Sequence, residues 1–299
     1  MNITILGTSS MVPTKDRNHV STLVEYKQHG LLFDCGEGTQ RQLKLADIRP
    51  PKIDKIFLTH WHGDHVFGLP GLMQTLASSD YDKTLEIYGP AGTRQRIATM
   101  NNEVFLLDKM LAYEVIEIPA AGGILCETPD FSVMALPLEH SIPCFGYAFV
   151  EKDTRNITIA KAKRMGLSEG PLLGKLQRGE TITLGKKTIR PDEVSRVKKG
   201  KKIAVVLDTA LSKNCYVLAY HADVLICEAT YASGLQEKAE EYGHLTARQA
   251  GEIAAASNAK KLILTHYSQR NKTTDELLDE ARLVFQNTVA GFDLMKIHL

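Results

Sequence analysis

The chain is poor in the residues that would make it a disulfide scaffold or a membrane protein. Its five cysteines, Cys35, Cys126, Cys144, Cys215 and Cys227, are dispersed over 299 residues with no CxxC pair, and there is a single tryptophan. An odd, scattered set of thiols argues against a disulfide framework and predicts small buried side chains in a reducing compartment. No run approaches the roughly 18 uncharged apolar residues of a membrane helix, so no membrane association is expected. The opening MNITILGTSS lacks a basic leader and reads as a strand entering a turn, which predicts no signal peptide and a cytoplasmic protein. There is also no internal repeat and no low-complexity tract.

What remains is an ordinary globular composition, 43% hydrophobic and 24% charged, with a net charge of only +1. That average hides a segregation. Residues 151–202 carry 15 lysines and arginines against 6 acidic residues, a local charge of +9, which leaves −8 on the remainder. Such a segment suits either contact with a polyanion or a solvated surface loop, and charge alone does not separate the two.

Short apolar runs alternate with helical stretches. NITILGT, STLVEY, GLLFDCG, KIDKIFLTH, TLEIYG, YEVIEIP, FSVMALPLEH and GYAFVE read as strands. VFGLPGLMQTLASS and TRQRIATMNNEVFLLDKML have helical spacing. Strands recur in KKIAVVLDTA, ADVLICEATY and KKLILTHYS, and helices in TARQAGEIAAASN and TDELLDEARLVFQ. The pattern predicts one mixed α/β or α+β layered domain over residues 1–299, interrupted by the basic insertion at about 151–202. The apolar residues of that insertion are sparse and interspersed with glycines, which predicts an arm without a core of its own.

The chemistry concentrates in HWHGDH, where His60, His62, Asp64 and His65 follow the apolar run KIFLTH. Imidazole and carboxylate suit zinc, and a loop between strand and helix lets neighbouring side chains converge, whereas a strand would send them to opposite faces. Gly63 between the ligands is expected to permit the tight backbone that convergence needs. His140, Asp208 and His266 each terminate a later apolar run in the same way as His60. Singly each reads as a polar strand end; together with the hexapeptide they supply ligands for two metals. One division gives His60, His62 and His140 to the first and Asp64, His65 and His266 to the second, with Asp208 bridging. Two divalent ions roughly 3.5–4 Å apart activate water and stabilise both oxygens of an in-line displacement, which suits phosphodiester hydrolysis. Asp64 is the candidate base. His244 in YGHLTARQ is the candidate acid, with Glu228 of ICEATY raising its pKa and a helix start nearby favouring a phosphate. The plainer reading makes His244 a solvent-facing residue ahead of an N-cap at Thr246. Asp34 is either a turn residue or the group that orients a ligand imidazole. His19, His29, His221 and His298 have no such context.

HWHGDH matches the HxHxDH signature of the metallo-β-lactamase superfamily, and the chain resembles more narrowly the tRNase Z family. LGTSSMVPTKDRN, FDCGEGTQRQL, HGDHVFGLPGL, LEHSIPCFGYAF, ADVLICEATY, GHLTA and LTHYSQR carry the likeness nearly end to end. The resemblance implies an α+β fold, the four-layer αβ/βα sandwich, with two Zn²⁺ (or Mn²⁺) at one edge, and His244 and Glu228 in the catalytic apparatus. It implies a zinc-dependent endoribonuclease that removes the 3′ trailer of precursor tRNA, leaving a 3′-hydroxyl and a trailer 5′-phosphate, and a homodimer. It also makes residues 151–202 a flexible exosite gripping tRNA, with GLSEGP as its Gly-Pro element. The expected substrate contacts are then Lys161, Lys163, Arg164, Gly170, Pro171, Lys175 and Thr230. Two departures stand out: Leu207 precedes Asp208 where the family has glycine, and the Gly-Pro element holds one proline. Rival readings are a hydrolase of small esters, thioesters or cyclic nucleotides, and an RNA-binding protein whose zinc is structural.

Overall fold

The structure, a computed structural model, describes residues 1–104, 111–168, 170–185 and 187–299. The first part of the chain runs β1 (Asn2–Gly7), β2 (Ser21–Tyr26), β3 (His29–Phe33), α1 (Thr39–Leu45) and β4 (Ile53–Phe57). It continues through α2 (Gly63–Val66), α3 (Leu69–Ala77), β5 (Leu85–Gly89), α4 (Thr93–Thr99) and β6 (Tyr113–Glu117). Next come β7 (Gly123–Glu127), β8 (Phe131–Leu138) and β9 (Cys144–Glu151). The basic insertion holds β10 (Thr154–Ile157), α5 (Ile159–Arg164), α6 (Pro171–Gln177), β11 (Ile182–Leu184), β12 (Lys187–Ile189), α7 (Pro191–Val194) and β13 (Ser195–Lys198). The last part contains β14 (Lys202–Val206), α8 (Lys213–Ala219), β15 (Val224–Glu228), α9 (Gln236–Tyr242) and α10 (Ala247–Ala256). It ends with β16 (Leu262–Thr265), α11 (Asp275–Val284), β17 (Thr288–Ala290) and β18 (Met295–His298).

Two compact units result: residues 1–127, 133–149 and 202–299 form one, and residues 128–132 and 150–201 the other. The larger is built on two seven-stranded sheets, ordered β18-β1-β2-β3-β4-β5-β6 and β17-β16-β15-β14-β9-β8-β7. In the first, β3 through β6 run parallel; in the second, β14 through β17 do. Parallel strands buried on both faces read as continuous apolar runs, and every residue of β15 and β16 is buried.

The sheets meet through aromatic rings. Tyr147 of β9 packs on Phe33 and Phe57 at centroid distances of 5.7 and 5.6 Å, and its hydroxyl donates to the Leu58 carbonyl at 2.5 Å. Neighbouring positions point the other way: Leu32 and Ile56 join an apolar cluster with Leu43, Leu72 and Ile97 of the first three longer helices. On the second sheet Leu225 and Leu264 pack with Leu218, Ile253 and Leu277. Helix, sheet, sheet and helix thus form the layers of the larger unit, each strand alternation feeding a different interface.

Three expectations change. The helix expected over residues 66–79 is two, α2 and α3, separated at Phe67 and Gly68. Gly68 donates to the Cys35 carbonyl at 2.8 Å, and a Cβ there would come within 2.1 Å of the Gly36 carbonyl, so the chain kinks where it meets that loop. The helix expected over 93–111 ends at Thr99 and continues as a π-helical turn, Met100–Val104, while residues 105–110 lie outside the described residues. The insertion was expected to lack a core. The smaller unit has one: Ala162, Leu167, Leu176, Ile182, Ile189 and Val194 are buried together. Sparse apolar residues suffice because α5, α6 and α7 and the β11–β12 hairpin each contribute one or two. Residues 169 and 186 of this unit are outside the described residues.

Candidate metal centre

Site residues stand where parallel strands end. Asp34 follows β3, His60 follows β4 by three residues, Asp208 follows β14 by two, Glu228 closes β15 and His266 follows β16. Asp34, Asp208 and His266 all adopt left-handed backbone, with φ of 57°, 35° and 58°. Such angles are uncommon outside glycine and mark places where the surroundings over-determine the chain. The left-handed turn at Asp208 belongs to the aspartate itself, so the leucine before it, buried at 1% exposure, does not disturb the site.

The seven expected ligands form two groups. Ligand atoms of His60, His62, His140 and Asp208 lie within 4.8 Å of one another, and so do those of Asp64, His65 and His266. Asp208 reaches both: Oδ2 is 3.7 Å from His60 Nε2, while Oδ1 is 3.4 Å from His65 Nε2 and 3.0 Å from His266 Nε2. Asp64 Oδ2 is 3.4 Å from His65 Nε2 and 3.5 Å from His266 Nε2.

These residues fit a divalent cation. Close as they are to one another, His65 Nε2, His266 Nε2 and Asp208 Oδ1 are buried without a well-formed hydrogen bond among the described residues, a state costing roughly 1–3 kcal/mol per group unless a ligand satisfies it. Burial opposes charge on His65, yet Asp208, Asp34 and Asp64 push its pKa well above the ordinary value. Three carboxylates converging on a buried point call for positive charge. His60 behaves oppositely: burial, reinforced by neighbouring imidazoles, lowers its pKa, keeping the neutral ring that ligation needs. Burial would raise the pKa of Asp64, but His65 and His266 hold it below the carboxylate range, in the ionised form.

Hydrogen bonds on the far side of the rings fix which nitrogen faces the centre. Asp34 Oδ2 lies 2.7 Å from His65 Nδ1, and the His140 Nδ1 proton points at the Gly243 carbonyl, 3.0 Å away. Thr59 Oγ1 sits 2.9 Å from His60 Nδ1. Thr230 is only 3% exposed. Its hydroxyl lies 3.0 Å from His266 Nδ1 and 2.5 Å from Glu228 Oε2. That placement lets it orient two site residues, and Thr230 also lines the cleft.

His244 Nδ1 lies 3.2 and 3.1 Å from the two oxygens of fully buried Glu228. Burial favours the neutral imidazole, but the Glu228 carboxylate overcomes it and pushes the pKa up to about 9. An atom of His244 also lies within 4.8 Å of Asp208 and His266, sharing those two residues with the second ligand group. Thr246 caps α10 in a capping box with Gln249.

Gly63, expected to permit a tight backbone between the ligands, does so without a left-handed conformation. What requires glycine there is Phe67, whose ring would lie within 2.4 Å of an added Cβ. Sequence reasoning also passed over Thr59, Met11 and His19. Met11 N–H donates to Asp64 Oδ2 at 2.8 Å, and His19 Nε2 donates to the Met11 carbonyl at 3.1 Å. Threonine beside a ligand pair was the only local signal available for any of them. In the smaller unit, Lys161, Lys163, Arg164, Pro171 and Lys175 are exposed, and Gly170, at φ 152°, precedes the first turn of α6.

The layered fold and the histidine–aspartate cluster define a metal-dependent hydrolase of the metallo-β-lactamase superfamily, whose family profile matches residues 14–81. Ribonuclease Z of Methanothermobacter thermautotrophicus is 41% identical, over 100% of this chain and 97% of its own. Ribonuclease Z of Bacillus licheniformis is 42% identical over 98% and 97%. The short form of human tRNase Z aligns structurally with a TM-score of 0.72 at 30% identity, covering 100% of this chain and 99% of that one. The chain belongs to the ribonuclease Z family, and is a metal-dependent nuclease.

Proposed function

We propose that the protein is a zinc-dependent endoribonuclease that cleaves the 3′ trailer from precursor tRNA, leaving a 3′-hydroxyl on the tRNA and a 5′-phosphate on the trailer. The observation that carries this reading is the pairing of two ligand groups sharing Asp208 with a carboxylate-supported histidine beside them. Two zinc ions held by His60, His62, His140, Asp208, Asp64, His65 and His266 would supply Lewis-acid charge at the phosphate and lower the pKa of water. Asp64 takes the proton of the attacking water. His244, charged at neutral pH, releases its Nε2 proton to the departing 3′ oxygen while Glu228 stabilises the ring. The cleft containing His62, His140 and His244 has a volume of about 1300 Å³, beyond the roughly 300–1000 Å³ usual for small-ligand pockets and suited to a nucleic-acid strand.

Residues 151–202 act as an inserted exosite. The last turn of α5 carries Lys161, Lys163 and Arg164, none in an ion pair among the described residues. Such side chains position a phosphate backbone without reading bases. The enzyme works as a cytoplasmic homodimer.

The test is cleavage of a 3′-extended precursor tRNA by metal-loaded, chelated and Asp64→Ala protein. A single cut beside the discriminator base, absent from both controls, is expected. Wild-type inactivity on tRNA with continued turnover of a small phosphodiester would sink the substrate assignment.

A further inference from the structure

Two large apolar side chains stand exposed at the cleft that holds the ligands. Phe67 is 67% exposed and Met11 78%, and both line the cleft with His62 and Asp64. Neither is loosely attached. Phe67 follows α2 directly, and its ring is seated on Gly63, between two ligands: Cε2 and Cζ lie 2.4 and 2.6 Å from where a Cβ would be. Met11 has φ 50°, a left-handed conformation that a long side chain adopts only when its surroundings impose it. The imposing contacts are its N–H on Asp64 and its carbonyl on His19, so the pinned backbone directs the thioether outward.

A phosphate gains nothing from these groups. We propose that Phe67 and Met11 form a stacking platform for an unpaired nucleobase flanking the scissile phosphate. This rests on the RNA-cleaving reading and adds a contact to it. Single-stranded RNA is recognised largely by splayed bases stacking on aromatic rings, a contact tolerant of sequence because every base has a π face. Methionine, soft and unbranched, adapts to whichever base arrives. The ring rests on the loop carrying His62 and Asp64, so a base stacked there is tied to the registration of the adjacent phosphate. The platform therefore requires a base but not a particular one.

The experiment uses the full-length, metal-loaded enzyme and three precursor tRNAs: intact, abasic immediately 5′ of the cut, and abasic immediately 3′ of it. Phe67→Ala should raise KM on intact precursor on the order of tenfold, the loss expected for one stacked base. On one of the abasic precursors the variant should fall no further below wild type, and that arm identifies the base. Phe67→Trp should restore KM, and the four natural bases at that position should differ little. Met11→Gly, which relieves the left-handed backbone, should raise the melting temperature and raise KM on intact precursor. Equal losses for Phe67→Ala on all three precursors, or no rescue by tryptophan in a folded variant, would overturn the platform. Wild-type inactivity on intact precursor alongside turnover of methyl p-nitrophenyl phosphate would remove the RNA reading and the platform with it.

Discussion

Asp34→Asn is the substitution that separates shape from proton placement in this centre. Asp34 is fully buried; its Oδ1 accepts the Thr59 N–H at 2.7 Å, and its Oδ2 faces Thr59 Oγ1 at 2.8 Å and His65 Nδ1 at 2.7 Å. Asparagine keeps the volume and the first contact. Its amide nitrogen replaces Oδ2, however, and now meets a threonine hydroxyl, which can turn and accept, and an imidazole N–H, which cannot. His65 must move its proton to Nε2, the atom facing Asp64 and Asp208, and a protonated Nε2 cannot bind metal. Replacing a partner of this kind typically costs about 10–100-fold in metal affinity, or roughly 1.4–2.7 kcal/mol. Loss of a charge-assisted bond takes about 1.5–3 kcal/mol from the apo protein. The assay is zinc competition against a chromophoric chelator, together with thermal unfolding of the stripped protein. A weakened equivalent at the His65 group is expected in a folded variant; the His60 group is reached only through the Thr59 hydroxyl, which lies 2.8 Å from Asp34 Oδ2 and 2.9 Å from His60 Nδ1, and should lose less. Wild-type affinity at both sites would refute the tautomer argument.

Removing Asp208 should act differently: Asp208→Ala should weaken both metal equivalents, since its two oxygens face different groups, and loss of one equivalent alone in a metal titration would contradict the bridge. Restoring zinc to chelated wild type should raise its stability by about 2.7 kcal/mol at a hundredfold excess over the Kd, read as an increase of several degrees in melting temperature; an unchanged Tm would mean the ligands are not assembled as described. Changing Lys161, Lys163 and Arg164 together to alanine should reduce the slope of log tRNA affinity against log salt by about two to three, and an unaltered slope would remove those residues from the RNA path.

The ligands were legible because metal chemistry restricts the residue types and because His60, His140, Asp208 and His266 each lie within three residues of a strand's end, with His62, Asp64 and His65 following His60 on the same loop and the start of α2. An apolar run terminating in histidine or aspartate is a local pattern, and five such runs feed this rim. Thr59, Thr230 and Met11 were not legible in the same way. Thr59 bonds Asp34 from 25 positions away, and Met11 bonds Asp64 across 53, so nothing near them in sequence announces the contact. The core of the smaller unit escaped for a related reason: its six buried residues are spread irregularly from Ala162 to Val194 and converge only once the helices and hairpin pack. Strands β17 and β18 were missed because they are three and four residues long and partly exposed, leaving no period to detect.

The strained positions follow from the same geometry. A strand delivers successive side chains to opposite faces, so seven ligands cannot meet on one rim by strand continuation; the chain must turn sharply as each strand ends. Asp34, Asp208, His266 and Met11, at φ of 57°, 35°, 58° and 50°, are where it does so. Each such residue carries on the order of 1–3 kcal/mol of strain, and glycine, which would relieve it, has no ligand to offer. At Asp208 the demand for a carboxylate and the demand for a left-handed turn fall on one residue, which is why the position before it is free to be a buried leucine. Cations held by Asp208 Oδ1, His65 Nε2 and His266 Nε2 would satisfy these buried atoms and so offset part of that strain.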